Sequence, residues 1–181
     1  AIDGLCTVLA RWADLLHGYD VSAMRAVATS AVRDAANREE FSRRAAAAIG
    51  APVEIISGLE EARLIHLGVI SRLAKPKDSI LIVDVGGGSA EIIHSDRGEC
   101  RDAFSKPLGA VRLNEVFLKS DPPSSVELHR MEQYIAGKLA PCLERMGRRK
   151  LVHAIGTSAT AAAIVCAVHR IPRAKREQAA G

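Results

Sequence analysis

Aromatic side chains are scarce in this sequence: one Trp, two Tyr and three Phe among 181 residues. A surface that binds single-stranded nucleic acid stacks bases on rings, and there are almost none to stack on. No basic run exceeds Arg148-Arg149-Lys150, which reads as a solvated helix end, so no nucleic-acid partner is expected. Long apolar runs are missing too. No segment approaches the about 18 residues that a membrane span requires. The four cysteines, Cys6, Cys100, Cys142 and Cys166, stand far apart with no Cys-x-x-Cys spacing. That argues against a zinc site and leaves them as small buried hydrophobes in a reducing cytoplasm. No signal peptide is visible, and the sequence opens on Ala1 rather than Met, which leaves targeting open.

What is present is aliphatic. The length of 181 residues suits one ordinary domain or two small ones, and an apolar share of 48% supplies an aliphatic, alanine-rich core. The net charge of +4 suits an anionic ligand without demanding one.

The most informative stretch is Leu81 to Ile93, LIVDVGGGSAEII. An apolar run ends in Asp84. Gly86, Gly87, Gly88 and Ser89 follow, then Glu91 and a second apolar run. The pattern reads as strand, turn, strand. Glycines reach backbone conformations that side chains forbid and let a ligand approach the main chain. Bare N–H groups beside a hydroxyl make a cradle for phosphate oxygens. Asp84 and Glu91 suit a divalent cation or a positioned water. The string is neither Gly-x-Gly-x-x-Gly nor a P-loop. A plain hairpin is the simpler reading, but two turn residues suffice for one.

Elsewhere the chain alternates helices and strands, which predicts an α/β fold. Ile2, Leu5, Leu9, Trp12 and Leu16 share a helical face ending near Gly18. Short strands are expected at 24–28 and 53–56. A helix between them starts at a capping-box-like Asn37 and Glu40 and stops at Gly50. A further helix is expected over 59–73. Lys75-Pro76-Lys77-Asp78 is the expected linker. Strands at 80–85, through the turn to 95, and at 100–106 predict an antiparallel meander beside a parallel core, with a turn at Asp96-Arg97-Gly98. Helices are expected over 108–118, from a Ser124/Glu127 cap to Met146, and over 159–168. A strand at 151–155 and a turn at Gly156-Thr157-Ser158 separate the last two. Small polar residues and glycines thus follow strands at Thr29-Ser30, residues 86–89 and residues 156–158. In an open α/β sheet these strand ends would face one cleft.

A second constellation lies at Ser57-Gly58-Leu59-Glu60-Glu61-Ala62-Arg63. Acids favour the first turn of a helix through its dipole. A carboxylate that takes a proton from water also suits a rigid helix start.

Three strings then combine: Ala28-Thr29-Ser30-Ala31-Val32-Arg33-Asp34-Ala35, Glu54-Ile55-Ile56-Ser57-Gly58-Leu59-Glu60-Glu61-Ala62-Arg63-Leu64, and Asp84-Val85-Gly86-Gly87-Gly88-Ser89-Ala90-Glu91. In order and spacing they resemble the exopolyphosphatase/guanosine pentaphosphate phosphatase (Ppx/GppA) family. Gly156-Thr157-Ser158-Ala159-Thr160 and Ile171-Pro172-Arg173 extend the likeness, although Ala159 stands where the family often has glycine. The resemblance implies two ribonuclease-H-like lobes of the actin/sugar-kinase/Hsp70 superfamily with mixed sheets, residues 1–78 in the first and 79–181 in the second. It also implies an Asp-Leu-Gly-Ser-Asn-Ser-like phosphate loop ahead of Ala1. The chain is therefore expected to be a piece with an incomplete first lobe, nearly inactive alone.

By resemblance, Glu61 is the general base. Arg33, Gly86, Gly87, Gly88, Ser89, Gly156, Thr157 and Ser158 bind phosphate, and Asp84 and Glu91 hold Mg2+ or another divalent cation. The implied activity removes the terminal phosphate of inorganic polyphosphate or guanosine pentaphosphate, in a cytoplasmic protein for which a homodimer is open, since relatives are often dimers. An ATP-dependent kinase of the same superfamily and a non-catalytic polyphosphate- or nucleotide-binding module are the alternatives.

Overall fold

The computed structural model describes residues 2–73, 78–172 and 174–175. Two compact units divide the chain, Ala1–Ser57 and Gly58–Gly181.

In the first unit, α1 (Ile2–His17) packs on α3 (Arg38–Ile49). Ala45 and Ile49 of α3 are buried, and Arg44 forms an ion pair with Asp3 of α1. Strands β1 (Ala26–Ala28) and β2 (Val53–Ile55) are parallel, with Ala26 opposite Val53. The mixed pattern expected of both sheets is therefore carried by the second unit, not by this pair. A single-turn helix, α2 (Ser30–Arg33), follows β1 directly. Gly50 ends α3 at φ 76°, in the left-handed region that glycine enters without penalty. The capping box expected at Asn37 does not form. Its backbone sits at φ −99°, ψ 26° rather than extended, and no side-chain cap bond is made. Glu40 instead faces Arg44 one turn on, at 3.5 Å.

The second unit opens with α4 (Gly58–Ile70), followed by β3 (Ser79–Val85), β4 (Ala90–Asp96) and β5 (Glu99–Lys106). Then come α5 (Ala110–Phe117), α6 (Ser125–Met146), β6 (His153–Thr157) and α7 (Ser158–Val168). The sheet runs β5-β4-β3-β6. The first three strands form the expected antiparallel meander, and β6 lies parallel to β3. Arg97 and Gly98 turn the β4–β5 hairpin at φ 53° and 82°, the positive-φ pair that a tight two-residue loop uses.

The core gathers Ala62, Ile80, Ile82 and Ile93, with Ile65, Val69, Ile70, Leu73, Ala103 and Ile155 against them. Residues 62, 65 and 69 recur at helical spacing, so α4 lays one apolar stripe on β4 and β5. That packing puts α4 in the second unit. The division thus falls at Ser57/Gly58, ahead of the expected linker, of which residues 75–77 lie outside the described residues. The Ser124/Glu127 capping box forms as expected, with both reciprocal bonds present. The cysteines divide: Cys142 and Cys166 are buried, Cys6 is half-buried, and Cys100 is exposed at the start of β5.

Candidate active site

One rung of the second sheet carries four polar side chains. In the strand register Asp84 of β3 stands opposite Glu91 of β4 and, on its other side, opposite Thr157 of β6. Glu91 in turn stands opposite Ser105 of β5. Directly paired residues project to the same face. The order across the sheet is therefore Ser105, Glu91, Asp84, Thr157: two acids in the middle and a hydroxyl on each flank. Each hydroxyl donates to its neighbouring acid. Thr157 Oγ1 lies 2.5 Å from Asp84 Oδ2, and Ser105 Oγ lies 2.7 Å from Glu91 Oε1.

Glu91 is 1% exposed. Burial pushes its carboxyl above the ordinary range. The hydroxyls of Ser105 and Ser89 pull it back, and the charges of Glu61 and Asp84 raise it further. Glu61 sits in the first turn of α4, and its charge is felt at Glu91. Three carboxylates from α4, β3 and β4 therefore act on one place.

Residues 86–89 close the β3–β4 hairpin beside that rung. Gly86 N–H donates to the Ser89 carbonyl at 3.0 Å. Gly86 and Gly87 are not in the left-handed region, which corrects the conformational reason expected for them. Protein packing does not require glycine there either. A Cβ on Gly86 would meet only the Ser89 carbonyl oxygen, and one on Gly87 only the Val111 side chain, each no nearer than 3.6 Å, ordinary contact. What the missing side chains leave is open main chain at the turn. Gly156 is different: a Cβ there would come within 3.2 Å of Ala161, so its smallness lets β6 pack on α7.

Gly156 and Thr157 end β6 and Ser158 opens α7, so the expected turn is a direct strand-to-helix junction. Ser158 takes φ 71°, costly for a residue with a Cβ. Its hydroxyl donates to the Val85 carbonyl at 2.6 Å, anchoring the junction to the end of β3. The second unit thus brings together Glu61, Asp84, Gly86, Gly87, Gly88, Ser89, Glu91, Gly156, Thr157 and Ser158. Arg33 belongs to the first unit. It ends α2 and donates to the Ile56 carbonyl at 2.8 Å, joining that turn to the chain leaving β2.

Two site residues escaped the sequence. Ser105 was visible only as an alternating position of a strand. Gly109 precedes α5 with ordinary angles, φ −69° and ψ 149°, yet a Cβ on it would fall 2.3 Å from the Gly87 carbonyl group. Only glycine fits where the two backbones cross.

Among the described residues, no group of three or more His, Cys, Asp or Glu side chains could hold a metal ion. Magnesium does not require one. It is commonly held by one or two carboxylates, with waters and substrate phosphates completing the shell. Asp84 and Glu91 are oxygen donors of that kind, and the repulsion felt at Glu91 is what a cation would relieve.

A mixed sheet flanked by helices, with a glycine turn at a strand end beside paired acids, defines an α/β protein. Residues 1–176 match the Ppx/GppA phosphatase family, and the chain belongs to it. It is 35% identical over 166 residues to exopolyphosphatase 2 of Mycobacterium tuberculosis, covering 87% of this chain and 52% of that protein. A Ppx/GppA enzyme of Aquifex aeolicus superposes with TM-score 0.73 at 30% identity, over 94% of this chain and 55% of that one. An exopolyphosphatase of Cytophaga hutchinsonii gives 0.83 at 28%, over 97% and 57%. The fold is that of the actin-like ATPase superfamily to which these proteins belong, and the chain spans about half their length. Among the described residues no helix is long and apolar enough to cross a membrane.

Proposed function

We propose that the intact protein is a phosphohydrolase. It removes the terminal phosphate of inorganic polyphosphate or guanosine pentaphosphate by attack of a water activated by Glu61. The observation that supports this most is the open turn of residues 86–89 beside the rung of two hydroxyl-anchored acids. Phosphoryl transfer is largely positioning and charge neutralisation, so a cradle of N–H groups next to oxygen ligands is the machinery it needs.

In this reading Gly86, Gly87, Gly88 and Ser89 receive phosphate oxygens, with Gly156, Thr157 and Ser158 edging the pocket; Arg33, a residue of the first unit, is a phosphate ligand on the family resemblance alone. Asp84 and Glu91 would hold Mg2+ or another divalent cation, which when bound neutralises the phosphate oxygens. Thr157 keeps Asp84 turned to one rotamer, and Ser105 does the same for Glu91. Glu61 takes the proton of the attacking water. A cytoplasmic homodimer acting on these anions completes the proposal.

The test is Glu61→Gln in the intact protein, assayed by phosphate release from polyphosphate with magnesium and without ATP. Losing a general base lowers turnover by about a hundred- to ten-thousand-fold, while substrate binding survives. Glu60 is the control. It pairs with Arg63 at 2.7 Å, and Glu60→Gln should have a far smaller effect. Near-normal turnover in the Glu61 variant removes Glu61 from the mechanism.

A further inference from the structure

The carbonyl side of the glycine turn is held by a neighbouring helix start. Ala110 N–H donates to the Gly86 carbonyl at 2.9 Å, and Arg112 N–H to the Gly87 carbonyl at 3.0 Å. Arg112 Nε donates to the Gly88 carbonyl at 2.8 Å. The first N–H groups of a helix lack partners within it, and here two of them find acceptors in the turn. Gly109 lets the two backbones approach closely enough for this, since any side chain there would collide with Gly87 and Gly88.

A trans peptide is planar, with its C=O and the following N–H pointing in opposite directions. Fixing the carbonyls of residues 86, 87 and 88 therefore aims the N–H groups of Gly87, Gly88 and Ser89 away from α5. Among the described residues none of these three N–H groups donates to a backbone carbonyl. Three adjacent donors thus point away from α5, and among the described residues no backbone carbonyl takes them.

We infer that Arg112 is a positioning residue for phosphate binding: its side chain fixes the Gly88–Ser89 peptide so that the Ser89 N–H joins those of Gly87 and Gly88 in gripping phosphoryl oxygens. This rests on the function proposed above and adds a division of labour to it. The Gly87 N–H is aimed through Ala110 and the Gly88 N–H through the backbone of Arg112. Only the Ser89 N–H depends on the Arg112 side chain. Removing that side chain should disturb one donor of three. Losing an oxyanion donor outright costs about a hundred- to thousand-fold. A mis-aimed donor should cost somewhat less, about ten- to a hundred-fold in kcat, with KM changed by no more than about threefold.

The experiment follows the backbone amide signals of Gly87, Gly88 and Ser89 in the intact protein during titration with inorganic triphosphate and magnesium, alongside kcat and KM. In the wild type all three should shift. In Arg112→Ala the Ser89 response should fall while those of Gly87 and Gly88 persist, and kcat should drop as above. Arg112→Lys keeps the positive charge but lacks the Nε–H. It should show the same selective loss, and it carries the test if the alanine variant fails to fold. Equal weakening of all three signals would make Arg112 a source of charge and overturn its positioning role. Unchanged signals and turnover in both variants would overturn it too. If no amide shifts in the wild type, the turn is not the phosphate cradle and the proposed function falls with the inference.

Discussion

Replacing Glu91 by Gln should stabilise the protein at pH 7 while lowering its activity. Glu91 is 1% exposed and stands directly across from Asp84. Cross-strand partners hold their side chains about 5 Å apart. Two like charges at that distance repel by about 3 kcal/mol at an effective dielectric constant near 20. Glu61 adds repulsion of the same sign. Glutamine keeps the shape and an acceptor for the Ser105 hydroxyl at 2.7 Å. A bond to a neutral acceptor is weaker than one to a charged acceptor by about 1 kcal/mol. The balance is a gain of about 1–2 kcal/mol.

The gain must depend on pH. Burial and like charges raise the folded-state pKa of Glu91 above the ordinary 4.5. Below 4.5 the carboxyl is neutral in both states and carries no penalty. As pH rises through the raised folded value, the wild type loses stability that the Gln variant keeps. The melting temperatures should therefore converge near pH 4 and separate above it. Magnesium should raise the melting temperature of the wild type more than that of the variant, because a cation relieves the same repulsion. Thermal unfolding from pH 4 to 8, with and without magnesium, reads all of this, and phosphate release reads the lost activity. A variant less stable than wild type at pH 7, or a gain that does not change with pH, would refute the electrostatic account of the rung.

Thr157→Val removes the hydroxyl that donates to Asp84 while keeping the shape. It should cost about 1–2 kcal/mol in denaturant midpoint experiments, less than a fully buried charged bond because Asp84 is only half-buried. Thr157→Ser should recover most of the loss in both stability and turnover. At the start of α6, the Ser120 hydroxyl, the backbone N–H groups of Ser124 and Lys119 and the Ser124 hydroxyl push the Glu127 carboxyl down to about 2 from 4.5. The α6 cap should hold above pH 4.5 and weaken as pH falls toward 2, so the stability difference between wild type and Glu127→Gln should shrink across that window. A pH-independent difference would mean that the capping carboxylate does not contribute through its charge.

Much of the second unit was legible because its signals are local. Gly86 to Ser89 and Asp96 to Gly98 punctuate apolar runs, and the meander follows from them. The same capping signature succeeded at Ser124 and failed at Asn37, since only Ser124, at φ −74° and ψ 155°, has the extended backbone that aims the cap. Gly109 was not legible. Its angles are ordinary, and its need for glycine arises from Gly87, twenty-odd residues away in the chain but touching in space. Arg112 is hidden for the same reason. The place of α4 depended on which surface Ala62, Ile65 and Val69 cover, and a polar stretch at 75–78 outweighed that in the sequence. Of the two reasons the glycine triplet suggests, backbone freedom and an open main chain, the structure leaves the second at Gly86 and Gly87: neither has a positive φ, and a Cβ on either would meet only ordinary contacts.

The order of the rung explains why the acids sit on a sheet rather than on loops. Each acid lies between its like-charged neighbour and a hydroxyl that anchors it, so repulsion pushes each side chain toward its anchor instead of out of the site. Register fixes the spacing to within the play of a strand pair, which a metal and a phosphate both require. The two anchors arrive by different routes. Ser105 comes with β5 in the same meander as both acids, a few residues beyond a two-residue turn. Thr157 comes with β6, only after α5 and α6 have crossed to the other edge of β3. The acid pair and the Ser105 anchor are thus a local product of one meander. Alignment of Asp84 is not, and any change that loosens β6 from β3 should disturb Asp84 before it disturbs Glu91.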